Sequence, residues 1–306
     1  MHARICLRAP AKINLYLRVI GRRPDGYHLL ASLMQKLALF DRVEIERVPG
    51  LMTLDCPDSN LPHNQDNIAL RAAHLFGDTF VERLPEDYGA RIVLRKKIPI
   101  AAGLGGGSSD AAAVLVGLDK IFQTGCSKQE LANLGVQLGA DVPLFIYDWP
   151  VAWATGIGET LIEADGLNDA SVLLVNPGFL VSTKWVYENL PLTLEGKIFN
   201  LTNSNSNNAW RIENPFIGRS FSKSDLYNDL EQVTQNFFKE ICMIKEQLTT
   251  GGASGALMSG SGPTVFAVFD RAHLKQANAC YLRMRDMYRQ TFLVKPLQKE
   301  QSRFEQ

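Results

Sequence analysis

Four glycines between positions 103 and 107 form the strongest chemical signal in this sequence, because they stand directly ahead of an apolar helical pattern. Glycine lets a backbone approach an anion closely and adopt positive φ. The helix that follows adds unpaired N–H groups and the positive end of its dipole. We therefore predict a phosphate site over residues 99–109, since a plain strand-to-helix turn would bear the entropic cost of these glycines without a packing gain. The hydroxyls of Ser108 and Ser109 could cap the helix, or could bind phosphate or Mg²⁺.

The spacing of this loop excludes two familiar nucleotide motifs. A dinucleotide-binding fingerprint that starts at Gly103 requires glycine or alanine where Ser108 stands, and one that starts at Gly105 meets Asp110. A Walker loop requires Gly-Lys followed by serine or threonine, but Gly196-Lys197 is followed by Ile198. The loop is therefore a phosphate cradle of another kind.

Two charged residues outside the loop could act on a substrate hydroxyl. Asp141 lies in Gly-Ala-Asp-Val-Pro, where a helix ends, and could be a turn or capping residue or could accept a proton. Lys12 alternates with apolar residues on a predicted strand, and by itself it is typical of a solvated lysine on the polar face. Together with a phosphate loop, the pair favours phosphoryl transfer, in which positioning and charge neutralisation supply most of the catalysis.

Other candidate ligand-binding residues give weaker signals. Tyr27 and His28 follow the tight turn Arg-Arg-Pro-Asp-Gly, and Tyr187 offers another aromatic face. Taken singly, these three residues are typical of partly buried structural aromatics. A second glycine-rich turn over residues 259–264 could form a further anion nest.

Periodicity predicts helices and strands in both halves of the chain. Strands are predicted over 13–19, 43–48, 91–95, 171–176 and 265–269. Apolar stripes predict helices over 111–122, 131–138, 230–248 and 274–288, the second of them opening with a Ser127–Glu130 capping box. Residues 196–224 are rich in Asn and Ser and are predicted to form a surface loop.

Composition bounds the class of protein. The chain has 306 residues, 46% of them hydrophobic, which suits a two-lobed globular protein. Basic and acidic residues balance at 32 each, so no global field favours nucleic acid or an anionic membrane. No apolar stretch is long enough to span a membrane or to act as a signal peptide, which predicts a cytoplasmic protein. Five scattered cysteines predict reduced core thiols rather than disulfides or zinc ligands. The oligomeric state is left open.

Five segments, taken in chain order, closely resemble the GHMP kinase superfamily: residues 10–15, 21–28, 103–109, 139–143 and 259–263. The resemblance extends over most of residues 8–190 and 226–270. It implies an α+β fold of two lobes, the first like ribosomal protein S5 domain 2 and the second ferredoxin-like, with the active site between them. We expect the lobes to span residues 1–164 and 165–306.

The element Arg-Pro-Asp-Gly-Tyr-His is the most discriminating part of the resemblance and is similar to the branch that acts on a substrate carrying cytidine diphosphate. That likeness implies ATP-dependent phosphorylation of the 2-hydroxyl of 4-diphosphocytidyl-2-C-methyl-D-erythritol in the non-mevalonate route to isoprenoid precursors. Asp141 would be the general base, and Lys12 would stabilise charge.

The resemblance also implies the binding residues, position by position. Tyr27 and Tyr187 would sandwich the cytosine while His28 reads its edge, and Asn14 and Thr183 would hold the rest of the substrate. Tyr187 stands where a relative has phenylalanine. Mg²⁺ is expected with ATP, but no acidic residue matches a family metal ligand, so its ligands are unassigned. The implied ATP-binding residues are Asn67, Lys96, Pro99, Ile100, Ala101, Ala102, Gly103, Leu104, Gly105, Gly106, Gly107, Ser108 and Ser109.

Two other functions compete with this hypothesis. Another small-alcohol kinase of the superfamily, such as a homoserine or mevalonate kinase, would keep the loop but would not use a cytosine clamp. A nucleotide-binding protein without catalytic activity is the second alternative, and the presence of both Lys12 and Asp141 argues against it.

Overall fold

The computed structural model describes residues 4–191, 202–203, 210–211, 214–216 and 221–299. Most of the predicted surface loop over 196–224 lies outside these residues. The strands are β1 Arg4–Arg22, β2 His28–Arg47, β3 Met52–Asp55, β4 Ala90–Arg95, β5 Val151–Thr155, β6 Thr160–Glu163, β7 Ala170–Asn176, β8 Thr202–Asn203, β9 Trp210–Arg211, β10 Tyr227–Asn228, β11 Gly255–Met258, β12 Val265–Asp270 and β13 Gln290–Val294. The α-helices are α1 Ile68–Thr79, α2 Gly106–Phe122, α3 Lys128–Val136, α4 Val142–Ile146, α5 Thr183–Glu188, α6 Asp229–Phe237, α7 Lys239–Thr250 and α8 Leu274–Met287.

The first sheet is organised around the long antiparallel pair β1 and β2, in the order β10-β1-β2-β4-β3. The beginning of β2 pairs with β5, and its end pairs with β4, so this one strand supports two branches of the sheet. Helices α1 to α4 cover one face, and their apolar residues share a core with this sheet. The phosphate loop and the Asp141 segment therefore both border the same layer.

The second sheet has the order β11-β12-β7-β13 and is antiparallel throughout its described pairs. In chain order the unit runs β7, α6 and α7, β11, β12, α8 and β13, which is the ferredoxin-like arrangement. The two-lobed α+β fold is thus confirmed. The lobes are not separate in topology, since β10 from the second half pairs in parallel with β1.

A shared apolar core joins the two sheets. Ile13 and Leu15 of β1 lie in one cluster with Trp153 of β5 and with Val172 and Phe266 of the second sheet. All five are buried. Because interiors are close-packed and resist deformation, this cluster fixes the position of one lobe relative to the other and so sets the width of the cleft between them.

Two sequence predictions are wrong in detail, and one open alternative is decided. The helix predicted over 230–248 is two helices, because Phe238 leaves helical geometry (φ −118°, ψ 85°) where its ring stacks on Phe179 at 4.7 Å between centroids. The alternative that concerned Ser108 and Ser109 is decided as well: the phosphate-loop helix begins at Gly106 with Gly105 as its N-cap, so both serines lie inside its first turn and do not cap it.

The second wrong prediction concerns Lys12, which is buried rather than solvated, with 5% of its surface exposed. β1 is buried on both faces at this point, because Ala11 and Ile13 pack in the core shared with the second sheet while the Lys12 side chain lies beside Gly105 of the phosphate loop. Alternation alone could not reveal this environment.

The five cysteines are all free thiols, as predicted, but only Cys56 and Cys280 are buried, and Cys242 is exposed. In the part of the chain that the structure describes, no helix is both long and apolar enough to cross a bilayer.

Candidate active site

A cleft of about 1100 Å³ lies between the lobes. Its walls come from β1, the turn before β2, the phosphate loop, the Asp141 segment and, across the gap, α5 with the second glycine turn. Clefts of this size between lobes are the usual place for a ligand site. The sequence segments singled out above therefore converge on one cavity.

Positive φ angles at Gly103 (75°) and Gly105 (70°) shape the phosphate loop. The backbone N–H of Lys12 donates to the Leu104 carbonyl at 2.9 Å, and this bond ties the loop to β1. A Cβ at Gly103 would lie 2.1 Å from the Ser259 carbonyl oxygen. Only glycine fits there, because a second segment of backbone touches the loop.

That second segment is the glycine-rich turn over residues 259–264, which is buried and not an open anion nest. The Ser259 hydroxyl donates to the Gly103 carbonyl at 2.9 Å. The Asn228 amide donates to the carbonyls of Met258 and Gly260, each at 2.8 Å. The turn thus braces the phosphate loop, although Gly260 and Ser261 also reach the cleft.

Lys12 and Asp141 meet in the cleft, with 3.1 Å between the Lys12 Nζ and an Asp141 carboxylate oxygen. The Lys12 ammonium also donates to the Asn14 Oδ1 at 2.8 Å, while the Asn14 amide donates to the Ser32 hydroxyl at 2.9 Å. Asp141 makes no side-chain cap bond at the start of α4, and its side chain is one-third exposed. The lysine is therefore fixed, and the carboxylate is open to a ligand.

The three residues predicted to bind cytosine are not arranged as a sandwich in this structure. The rings of His28 and Tyr187 stack with 5.0 Å between centroids, whereas Tyr27 is 61% exposed at the rim. Burial, and then Arg22, lowers the pKa of His28 below its usual 6.5, so the ring is neutral at pH 7. Burial, and then Asp141, raises the pKa of the Tyr187 phenol, which therefore stays protonated.

Three of the remaining predicted residues have defined partners. Asn67 caps α1 by accepting from the Ala69 N–H at 3.0 Å. The Thr183 hydroxyl lies 2.8 Å from that of Ser261. Lys96 donates to Asp41 and, at 2.6 Å, to Asp110. Sequence reasoning missed this connection because Asp41 stands in no motif and the glycine-loop run that contains Asp110 does not indicate its partner.

All but two of the predicted site residues border the cleft. Leu104 and Ser109 do not, since each is about 1% exposed and faces the interior. The described residues include no group of three or more His, Cys, Asp or Glu side chains able to hold a metal ion. The side chains of the described residues therefore do not form a metal site that the protein could complete without ligands from a bound molecule.

The comparisons with known proteins cover both halves of the chain. Models of the GHMP kinases N terminal domain and the GHMP kinases C terminal region match residues 67–148 and 221–290. A 4-diphosphocytidyl-2-C-methyl-D-erythritol kinase from Syntrophotalea carbinolica is 48% identical over 292 residues, covering 94% of this chain and 98% of the relative.

Solved structures extend the likeness to three dimensions. The crystal structure of a 4-(cytidine 5'-diphospho)-2C-methyl-D-erythritol kinase superimposes with a TM-score of 0.74 at 31% identity, covering 95% of this chain and 99% of that one. A homoserine kinase from Cytophaga hutchinsonii has a TM-score of 0.70 at 15% identity, covering 96% and 95%, and this second likeness concerns the fold alone.

Proposed function

Because this chain belongs to the GHMP kinase family and, within it, groups with the 4-diphosphocytidyl-2-C-methyl-D-erythritol kinases, we propose that it transfers the γ-phosphoryl group of ATP to the 2-hydroxyl of that cytidine-bearing alcohol. The products are ADP and the 2-phosphate. The observation that carries the proposal is the Lys12–Asp141 ion pair, which lies in the same cleft as the glycine loop.

In the proposed reaction the substrate hydroxyl oxygen forms a bond to the γ-phosphorus, and the bond from that phosphorus to the β–γ bridging oxygen breaks. Asp141 accepts the hydroxyl proton, for which its open carboxylate and lack of a capping bond are suited. Lys12, held by Asn14, keeps a positive charge beside the attacking oxygen and the transferring group. The ADP leaving group retains the electron pair of the broken bond.

We assign the nucleotide to the glycine loop. The N–H groups at the start of α2 and its positive dipole end favour phosphate there. Lys96 and Asn67 line the same cleft, and a Cβ at Gly106 would lie 3.3 Å from the Lys96 Nζ. Mg²⁺ is expected to arrive on the ATP phosphates, since magnesium usually keeps water and phosphate ligands and needs few from protein.

We assign the acceptor to the other end of the cleft. Tyr27 and the His28–Tyr187 pair supply aromatic faces and a neutral imidazole for cytosine, while Asn14 and Thr183 supply polar contacts for the erythritol diphosphate arm. His28 stacks on one face of Tyr187, so a cytosine held between the two tyrosines would use the other face of Tyr187 or displace the His28 ring. We place the boundary between the lobes near residue 164, because β6 ends at Glu163 and β7 opens the second sheet at Ala170.

The acceptor is tested by measuring ADP release from MgATP with 4-diphosphocytidyl-2-C-methyl-D-erythritol, homoserine and mevalonate as separate acceptors. Turnover with the cytidine substrate alone is expected. Turnover with another alcohol would support kinase activity but exclude the proposed acceptor. ATP binding without turnover of any alcohol would favour a non-catalytic nucleotide-binding protein.

The roles of the ion pair are tested by Asp141→Asn and Lys12→Ala. Loss of a general base should lower kcat by about 10²- to 10⁴-fold while leaving the KM for ATP nearly unchanged. Asp148→Asn is the matched control, since this carboxylate lies just beyond α4 and pairs with Lys128 outside the cleft. Near-normal turnover by both cleft variants would contradict the mechanism.

The base clamp is tested by Tyr27→Ala. The KM for the cytidine substrate should rise while the KM for ATP stays constant, because Tyr27 lines the cleft and is assigned to the acceptor rather than to the nucleotide. An unchanged KM for the acceptor would show that Tyr27 does not contribute to acceptor binding.

A further inference from the structure

Two carboxylates to which the sequence assigns no role hold the Lys96 ammonium at the start of the phosphate-loop helix. Asp41 of β2 is fully buried, and Asp110 in α2 is 1% exposed. Lys96 donates to one oxygen of each, and 7% of its own side chain is exposed. A Cβ at Gly106, the first residue of α2, would lie 3.3 Å from the Lys96 Nζ. The positive charge is therefore fixed beside the N–H groups that open the helix.

Asp41 also fixes the backbone that leads into the loop. Its Oδ1 accepts from the N–H of Lys97 at 2.5 Å and from the N–H of Ile98 at 2.8 Å, while its Oδ2 accepts from Lys96. One buried carboxylate thus satisfies three donors where β4 ends and the phosphate loop begins. Such charge-assisted bonds are stronger than neutral ones.

The lysine keeps a donor for a ligand. An ammonium has three N–H donors, and among the described residues only the two aspartates accept from it. Burial alone would lower the pKa of Lys96, but Asp110 and Asp41 raise it, so the group stays cationic. Because Lys96 borders the cleft, its third N–H is available to an anion there.

We infer that Asp41 is a positioning residue for nucleotide binding, which acts by holding the Lys96 ammonium and the entry to the phosphate loop in one geometry, with Asp110 as a second and replaceable anchor. The inference rests on the proposed use of ATP, and it concerns affinity for the nucleotide rather than the choice of alcohol.

The two aspartates should respond differently to the same substitution. In Asp41→Asn, the amide nitrogen must face either Lys96 or the two backbone N–H groups, so that donor meets donor. In Asp110→Asn, the oxygen can still accept from Lys96, and the amide takes the place of Oδ1, which has no hydrogen-bond partner. Burial raises the pKa of Asp110 to about 7, which means that its negative charge is unfavourable in this buried position. Removing that charge in Asp110→Asn should therefore cost little.

The experiment is calorimetric titration of each folded variant with ATP in magnesium buffer, without acceptor. We expect Asp41→Asn to weaken binding about tenfold or more and Asp110→Asn to change it less than about threefold, as the loss or retention of charge-assisted bonds requires. Steady-state kinetics should show the Asp41→Asn defect in the KM for ATP and not in the KM for the acceptor.

Asp119→Asn is the matched control, because this α2 carboxylate holds the Thr124 hydroxyl and the Cys126 N–H at the other end of the helix. It should lower thermal stability without changing the Kd for ATP. If Asp41→Asn behaves like this control, the positioning role is overturned. Equal losses from Asp41→Asn and Asp110→Asn would also overturn it.

If Asp41→Asn does not fold, the comparison of Asp110→Leu with Asp110→Asn still tests the inference. Asp110→Leu removes the acceptor but leaves the bonds of Asp41 in place, so it should weaken ATP binding several-fold where Asp110→Asn does not. Wild-type affinity in Asp110→Leu would contradict the role of the anchors. A wild-type protein that binds no ATP would overturn the proposed function as well, whereas ATP binding with an unexpected acceptor would leave this inference standing.

Discussion

Replacing Gly103 by alanine should destabilise the protein in two ways, through an unfavourable backbone conformation and through a close contact with another segment. The residue has φ +75°, which an L side chain adopts at a cost of about 1–2 kcal/mol. Its new Cβ would also lie 2.1 Å from the Ser259 carbonyl oxygen, against 3.4 Å or more for an ordinary contact. The two backbone segments must therefore move apart by roughly 1 Å, which in a close-packed region costs a further ~1–3 kcal/mol.

Gly125→Ala is the matched control for this change. Gly125 has φ +67°, but nothing lies within 4 Å of its added Cβ, and it stands outside the cleft. Its substitution should cost only the conformational part, about 1–2 kcal/mol, whereas Gly103→Ala should cost about 2–5 kcal/mol in total. Urea unfolding of both variants measures the difference.

Nucleotide binding provides the second measurement. A displacement of the phosphate loop on the order of 1 Å would break at least one hydrogen bond to the charged phosphates, worth about 1.5–3 kcal/mol, so the Kd of Gly103→Ala for ATP should rise about 10- to 100-fold. Gly125→Ala should bind ATP as the wild type does. Equal stability losses in the two variants, or normal ATP affinity in Gly103→Ala, would refute the idea that the second glycine turn braces the loop.

Three further outcomes follow from the described contacts. The pKa of Glu130 is lowered to about 2, chiefly by the Ser127 N–H, so its stabilisation is present above its ordinary value of 4.5 and is lost as the pH falls toward 2. The difference in urea midpoint between wild type and Glu130→Gln should therefore be clear at pH 7 and vanish near pH 2. Burial and then Arg22 lower the pKa of His28, so the KM for the cytidine substrate should rise only below pH 6.5, and Arg22→Ala should move that rise to higher pH in a kinetic pH profile. Phe266→Ala should reduce the free energy of unfolding by about 3–5 kcal/mol, because the ring is fully buried between the two sheets, and a loss under about 1 kcal/mol would contradict that packing.

Local patterns in the sequence predicted much of the fold. The Ser127–Glu130 capping box is present as predicted, and the strands predicted over 171–176 and 265–269 match β7 and β12 to within a residue. These features depend on residues a few positions apart, whose hydrogen bonds and side-chain periodicity are set by the chain itself. The break at Phe238 was not predictable in this way, because a ring from another segment stabilises it.

By itself, the sequence determined the chemistry available to this protein: a glycine loop at a helix start, an aspartate at a helix end, a lysine on a strand and aromatics beyond a tight turn. Only the tertiary structure decided which of these meet. It buried Lys12 against Asp141, placed His28 on Tyr187, converted the second glycine turn into a brace and brought Asp41 to Lys96. The physical reason is that burial and charge pairing depend on packing between segments far apart in the chain, which periodicity and spacing do not encode.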